Sequence, residues 1–139
     1  MKKILVATHG ELANGIKSSL SLLVGRLENI EFINAYVTDA DVTASIRHFL
    51  SELGENDQAV IFTDLKGGSV NQKVVLAVQN PNVFIIAGFN LPVVLEVLLT
   101  TEPVNETSLQ KIIESSRASL QLVSRDIVSD KESEEEFFN

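Results

Sequence analysis

The sequence predicts an α/β fold: a doubly wound, mainly parallel sheet of four strands plus one C-terminal edge strand, with helices on both faces. Three observations lead there. Short, continuous apolar runs alternate with segments whose apolar residues recur at helical spacing. The runs lack the in-out alternation of a half-solvated sheet, so both of their faces must be covered. Helix-opening residues (Gly, Asp, Asn, Ser) follow the runs directly, as short strand-to-helix connections require.

Taken in order, residues 2 to 7 form the first buried strand. From Glu11 to Val24, Leu12, Ile16, Leu20 and Leu23 share a helical face, and Gly25 suits the helix end. Asn14-Gly15 is a turn signal inside that pattern. Ile30 to Val37 is the second strand. Asp39 or Asp41 caps a helix that buries Val42, Ile46, Phe49, Leu50 and Leu53 and stops at Gly54. Ala59 to Thr63 is a third strand, ending at Asp64. After LKGGS a helix runs through Val70, Val74, Val75 and Val78 towards Pro81. Val83 to Ala87 is the fourth strand, and Asn90 caps a helix with Pro92 in its first turn. Ser108 is expected to cap the next helix, and Leu120 to Val123 is expected as a last, edge strand.

The chain is expected to be one domain over residues 1–125, followed by an acidic, mobile tail over 126–139. Its length suffices for one continuous core, and 45% hydrophobic content excludes a disordered chain. Of the net charge of −8, the segment from Asp126 to Asn139 supplies most, with six acids and one base. A nearly neutral body with an acidic end lacks the basic stripe that nucleic acid needs. Without cysteine there is no disulfide framework and no thiolate metal site. The opening MKKILVA imitates a signal peptide, but its apolar run is short and no cleavage site follows. A cytoplasmic protein is expected, which touches a membrane only through partners.

Ligands of open α/β sheets bind beyond the carboxyl ends of the strands, where strand order reverses. Right-handed crossovers make the first and third strands neighbours there. His9 would then face Asp64. A carboxylate that accepts a hydrogen bond from one ring nitrogen fixes the tautomer and leaves the other nitrogen with an open lone pair. Such a nitrogen can be a base, a metal ligand or a nucleophile. Gly10 opens the first helix, while Gly67 and Gly68 let backbone approach a ligand and Ser69 opens the third helix. Two helix N-termini with the hydroxyls of Thr8 and Ser69 make an anion site, for which phosphate is the usual tenant. A nucleophilic imidazole beside it suggests a phosphohistidine.

Each feature has a plain structural reading: a loop histidine, an Asp cap, a tight turn. Their conjunction at adjacent strand ends points to function. His48 lies opposite Ile46 and Leu50 on its helix, so it should face solvent without a role. Ser69 is outside a G-x-S-x-G elbow because Asn71 holds the second glycine position. Neither G-x-x-x-x-G-K-[ST] nor G-x-G-x-x-G occurs. His9 and Asp64 are too few for a metal site, so no metal and no cofactor are expected. THGE is similar to the RHGE signature of histidine phosphatases. However, Thr8 replaces the arginine that clamps phosphate, and His48 is poorly placed as a second histidine.

Three blocks then match one family in order: ILVATHGELA, FTDLKGGSVNQ and AGFNLPVVLE. The sequence resembles the IIA component of the mannose family of the bacterial phosphoenolpyruvate-dependent sugar phosphotransferase system, from Met1 to about Val123. The resemblance implies that His9 is phosphorylated on Nε2, that Asp64 holds its Nδ1–H, and that Thr8 and Ser69 lie near the phosphoryl oxygens. It implies phospho-HPr as donor and a separate IIB component as acceptor. It also implies a homodimer that exchanges its C-terminal strand, here Leu120 to Val123. Val70 stands where the family usually has Pro, and Lys66 where an apolar or aromatic residue is common. The function so implied is phosphoryl carriage during carbohydrate uptake. The alternatives are a regulatory phosphohistidine module that signals sugar supply, and more weakly a phosphate-ester hydrolase.

Overall fold

A computed structural model describes residues 1–125. The expected acidic tail therefore lies outside the described residues. The elements are β1 (Lys2–His9), α1 (Leu12–Val24), β2 (Ile30–Ala35), α2 (Val42–Ser51), β3 (Gln58–Thr63), α3 (Ser69–Ala77), β4 (Val83–Ala87), α4 (Leu91–Leu99) and α5 (Glu106–Arg117). The four strands form one parallel sheet in the order β2-β1-β3-β4. Strand order reverses between β1 and β3, which are direct neighbours with Ala7 opposite Thr63. On its other side β1 pairs with β2, and His9 stands opposite Ala35.

Alternation along β1 sorts the core into two layers, because successive strand residues point to opposite faces. Ile4 and Val6 join Val60, Phe62, Ala13, Leu20, Val94 and Val97 under α1, α4 and α5. Leu5 and Ala7 join Ile61, Ile46, Phe49, Val70 and Val74 under α2 and α3. The central strand β3 buries all residues from Ala59 to Thr63, which accounts for its unbroken apolar run.

Several local details differ from the sequence reading. The helix α1 passes through Asn14-Gly15 unbroken, helped by the Asn34 side-chain oxygen, which accepts from the Asn14 N–H at 3.0 Å. Asp41 rather than Asp39 caps α2. The helix α5 is capped by Asn105, and Ser108 is its reciprocal partner three residues in, a complete capping box. The strand β2 stops at Ala35 because Tyr36 takes a left-handed backbone, φ +68°. Among the described residues Leu120 to Val123 pairs with no strand, and Leu120, Leu122 and Val123 are strongly exposed. Among the described residues no helix is long and apolar enough to cross a membrane.

Candidate functional site

The site lies at the carboxyl ends of β1 and β3. His9 is the last residue of β1, and Asp64 directly follows β3. One carboxylate oxygen of Asp64, Oδ2, accepts two hydrogen bonds from His9: the backbone N–H at 2.9 Å and ring Nδ1 at 3.0 Å. The other oxygen, Oδ1, accepts the Leu65 N–H at 3.0 Å. Burial alone would raise the Asp64 pKa, but the His9 N–H and the ring beside it outweigh that and hold it below the usual carboxylate value. Asp64 is thus an anion at neutral pH, with its side chain only 11% exposed, while the His9 side chain is 39% exposed.

Gly10 turns the chain sharply after His9 with φ +58°, a conformation that costs a residue with Cβ. Gly68 is needed for space. A Cβ there would stand 3.2 Å from the Leu65 side chain and 3.5 Å from His9 Cε1. The loop between Asp64 and α3 is braced by Asn71, which is buried. Its side-chain oxygen accepts the Gly67 N–H at 3.0 Å, and its amide donates to Thr63 Oγ1 at 2.9 Å.

Ser69, the first residue of α3, places Oγ 3.2 Å from His9 Nε2. Tyr36, beyond the end of β2, brings its hydroxyl 2.7 Å from the same Oγ. Lys73, one turn along α3, donates from Nζ to the Tyr36 hydroxyl at 2.9 Å. Donor and acceptor chemistry fixes the direction of the whole chain. Lysine can only donate, and an ionised carboxylate can only accept. Nδ1 must carry a proton to serve Asp64, so in the neutral ring Nε2 presents its lone pair to the Ser69 O–H. The Ser69 oxygen then accepts from Tyr36 O–H, and the Tyr36 oxygen from Lys73. The hydrogen bond donated by Lys73 is the main cause that lowers the Tyr36 pKa.

The sequence-derived site residues are therefore partly assembled and partly turned aside. His9, Asp64, Ser69 and Gly68 meet. Thr8 does not join them. The pleat aims it at the opposite layer, where it is fully buried and its Oγ1 accepts the Ala13 N–H at 2.8 Å, starting α1. The glycine amides are also committed: Gly10 N–H to Ala35 O, Gly67 N–H to Asn71, and Gly68 N–H to Leu65 O. Backbone donors remain in the first turn of α3. Its first helical bond runs from Gln72 N–H to Gly68 O, so the N–H groups of Ser69, Val70 and Asn71 have no intrahelical partner. His48 faces solvent and pairs with Glu52 at 3.1 Å, far from this chemistry in the fold.

Sequence reasoning missed Tyr36, Lys73 and Asn71. Two signals were available. Tyr36 follows the one strand end, that of β2, at which no polar signal was sought, although β2 neighbours β1. Lys73 is four residues beyond Ser69 and so shares its helix face.

The model of the family described as PTS system fructose IIA component matches residues 3–116. Similar solved structures include the following three. One, from Klebsiella pneumoniae subsp. pneumoniae, is described as a phosphoenolpyruvate-dependent sugar phosphotransferase system permease. It has 26% identity over 91% of this chain and 93% of that one, with a TM-score of 0.82. The phosphotransferase system component EIIA from Streptococcus agalactiae has 26% identity over 88% of this chain and 97% of that one, with a TM-score of 0.73. The mannose/sorbose-specific IIA subunit from Enterococcus faecalis shares the fold, with 22% identity, 89% and 96% coverage and a TM-score of 0.77. A match over most of the chain, on a fold that brings a histidine and an aspartate together at its topological switch point, places this protein in the mannose/fructose IIA family of the sugar phosphotransferase system.

Proposed function

We propose that the chain is a phosphoryl carrier: His9 accepts phosphate on Nε2 from phospho-HPr and passes it to a separate IIB component during carbohydrate uptake. The observation that carries this reading is the state of the His9 ring. Asp64 fixes Nδ1 as a donor, so Nε2 is the nucleophilic nitrogen, hydrogen-bonded among the described residues to the Ser69 hydroxyl. As Nε2 attacks in line, its bond to phosphorus forms and the bond from phosphorus to the donor breaks, with the electron pair leaving on the donor. The ring gains positive charge, and the adjacent Asp64 carboxylate stabilises it. The Ser69 hydroxyl and the first-turn amides of α3 receive the phosphoryl oxygens. Gly10, Gly67 and Gly68 shape the approach, and Thr8 serves indirectly by fixing the start of α1.

The carrier is proposed to act as a homodimer in which Leu120 to Val123 pairs with the partner subunit. The exposed apolar side chains of that segment and the edge of β4, unpaired among the described residues, support this arrangement.

The test uses phosphoenolpyruvate, enzyme I and HPr with the purified protein. Intact mass should rise by one phosphate, His9→Ala should abolish the gain, and His48→Ala should retain it. A gain that survives His9→Ala removes the assignment. Addition of a purified IIB component should then discharge the protein, whereas retention with every IIB tried would favour the regulatory module.

A further inference from the structure

We propose that Tyr36 and Lys73 belong to the phosphoryl-binding site, with the Tyr36 hydroxyl as a direct donor to a phosphoryl oxygen on His9 Nε2 and Lys73 as the residue that positions and polarises it. The proposal rests on the carrier reading for its physiological donor, though not for the chemistry at the ring.

Four observations converge on it. The hydroxyls of Ser69 and Tyr36 lie in series from Nε2, at 3.2 and 2.7 Å, and the ammonium of Lys73 ends the series at 2.9 Å. Secondly, a covalent bond from Nε2 to phosphorus is far shorter than 3.2 Å, so the phosphoryl group takes the space in which Ser69 Oγ now receives Nε2. The Ser69 hydroxyl must turn from Nε2 towards a phosphoryl oxygen, and the Tyr36 hydroxyl that donated to it is left facing the arriving oxygens. Thirdly, Tyr36 is held with φ +68°, costly for a bulky side chain and of the kind found where a site requires it. That backbone swings the ring alongside the His9 imidazole, 5.5 Å between centroids. Fourthly, Lys73 holds the tyrosine twice, through its hydroxyl and with Nζ 4.8 Å from the ring centroid. Tyr36 is half exposed, so little of this is explained by core packing. A cation at the end of the chain strengthens the phenol as a donor towards a dianion.

Transfer itself needs no extra proton. The Nε2–P bond forms as the donor's bond to phosphorus breaks, the ring proton stays on Nδ1 in its hydrogen bond to Asp64, and the Tyr36 proton remains on its oxygen.

Charging the protein with phosphoramidate tests this without any protein partner. In wild type, His9 should be phosphorylated, with a ³¹P resonance whose shift moves with pH. Tyr36→Phe and Lys73→Met should each slow charging by about tenfold and move the resonance, less than the loss of a fully buried oxyanion donor because this site is open. Lys73→Arg should restore most of the rate. Circular dichroism and urea midpoints of the three variants should match wild type, which separates the effect from misfolding. Unchanged charging rate and ³¹P shift in Tyr36→Phe would overturn the proposal, as would a Lys73→Arg protein no better than Lys73→Met, or a wild-type His9 that phosphoramidate leaves uncharged. A protein charged normally by phosphoramidate but not by phospho-HPr would instead refute the carrier reading and leave this one standing.

Discussion

Asp64→Asn is the most informative single change. Asparagine has nearly the volume of aspartate, and its side-chain oxygen can still accept from the His9 N–H and Nδ1–H, now at 2.9 and 3.0 Å. What disappears is the charge and, because an amide nitrogen replaces Oδ1, the acceptor for the Leu65 N–H. Hydrogen bonds to an ionised acceptor contribute about 1 kcal/mol more than neutral ones. The two from His9 are the ones that bear on transfer, and the one to the ring strengthens as Nε2 takes on phosphorus and the imidazole becomes cationic. The loss during transfer is therefore about 2–3 kcal/mol, with the lower end favoured because the ring is 39% exposed and water screens it. That converts to a rate lowered roughly 30- to 150-fold. Rapid-quench measurement of His9 phosphorylation by phospho-HPr reads this directly, with HPr saturating so that docking is not limiting. An Asp64→Asn protein within threefold of wild type would mean that the carboxylate does not support the charge on the ring, and the electrostatic argument would fail.

The same residue predicts an acid response. The folded Asp64 pKa lies below the unfolded value of about 3.9, so its stabilisation is fully present above about pH 5 and is lost as pH falls through its folded value. Urea unfolding between about pH 5 and pH 2 should show a slope that Asp64→Asn flattens. At position 36, Tyr36→Val should destabilise by about 1–2 kcal/mol relative to Tyr36→Gly, because a β-branched residue tolerates φ +68° poorly and glycine readily; equal urea midpoints would remove the strain. Phe62 is completely buried in β3, and Phe62→Ala should cost about 3–5 kcal/mol by denaturant titration. Asn105→Ala breaks the capping box of α5 and should cost about 1 kcal/mol, with circular dichroism losing helix at that end first.

Most of the architecture was legible because it is written in runs and periods. The strands could be read from their apolar runs, and the helices from spacing and from Gly, Asn and Pro at their ends. His9 and Asp64 could be paired because crossover handedness makes β1 and β3 neighbours, a rule that acts at the scale of whole elements. Three failures have local causes. Thr8 and His9 are adjacent in a strand, so they cannot face the same ligand; attention to the pleat would have separated them. The cap of α5 was placed at Ser108 because serine is a good cap, although Asn105 three residues earlier completes the reciprocal pair. Tyr36 could not be placed from propensity, since tyrosine suits a strand and nothing in its neighbours announces a left-handed backbone. The glycine amides illustrate a further limit. Their presence was legible, but whether they point at a ligand or at Asn71, Leu65 and Ala35 depends on tertiary partners.

The ring of His9 is tethered along one edge, backbone and Nδ1 together, to a single oxygen of Asp64. Only one nitrogen is left to trade with the outside, and it sits at a fixed corner of the sheet rather than on a swinging arm. On the carrier reading, donor and acceptor must therefore take turns at the same doorway. Kinetics with both partners should be ping-pong, each competing with the other for the form of the protein it does not consume, and tighter binding by either would slow the traffic rather than speed it.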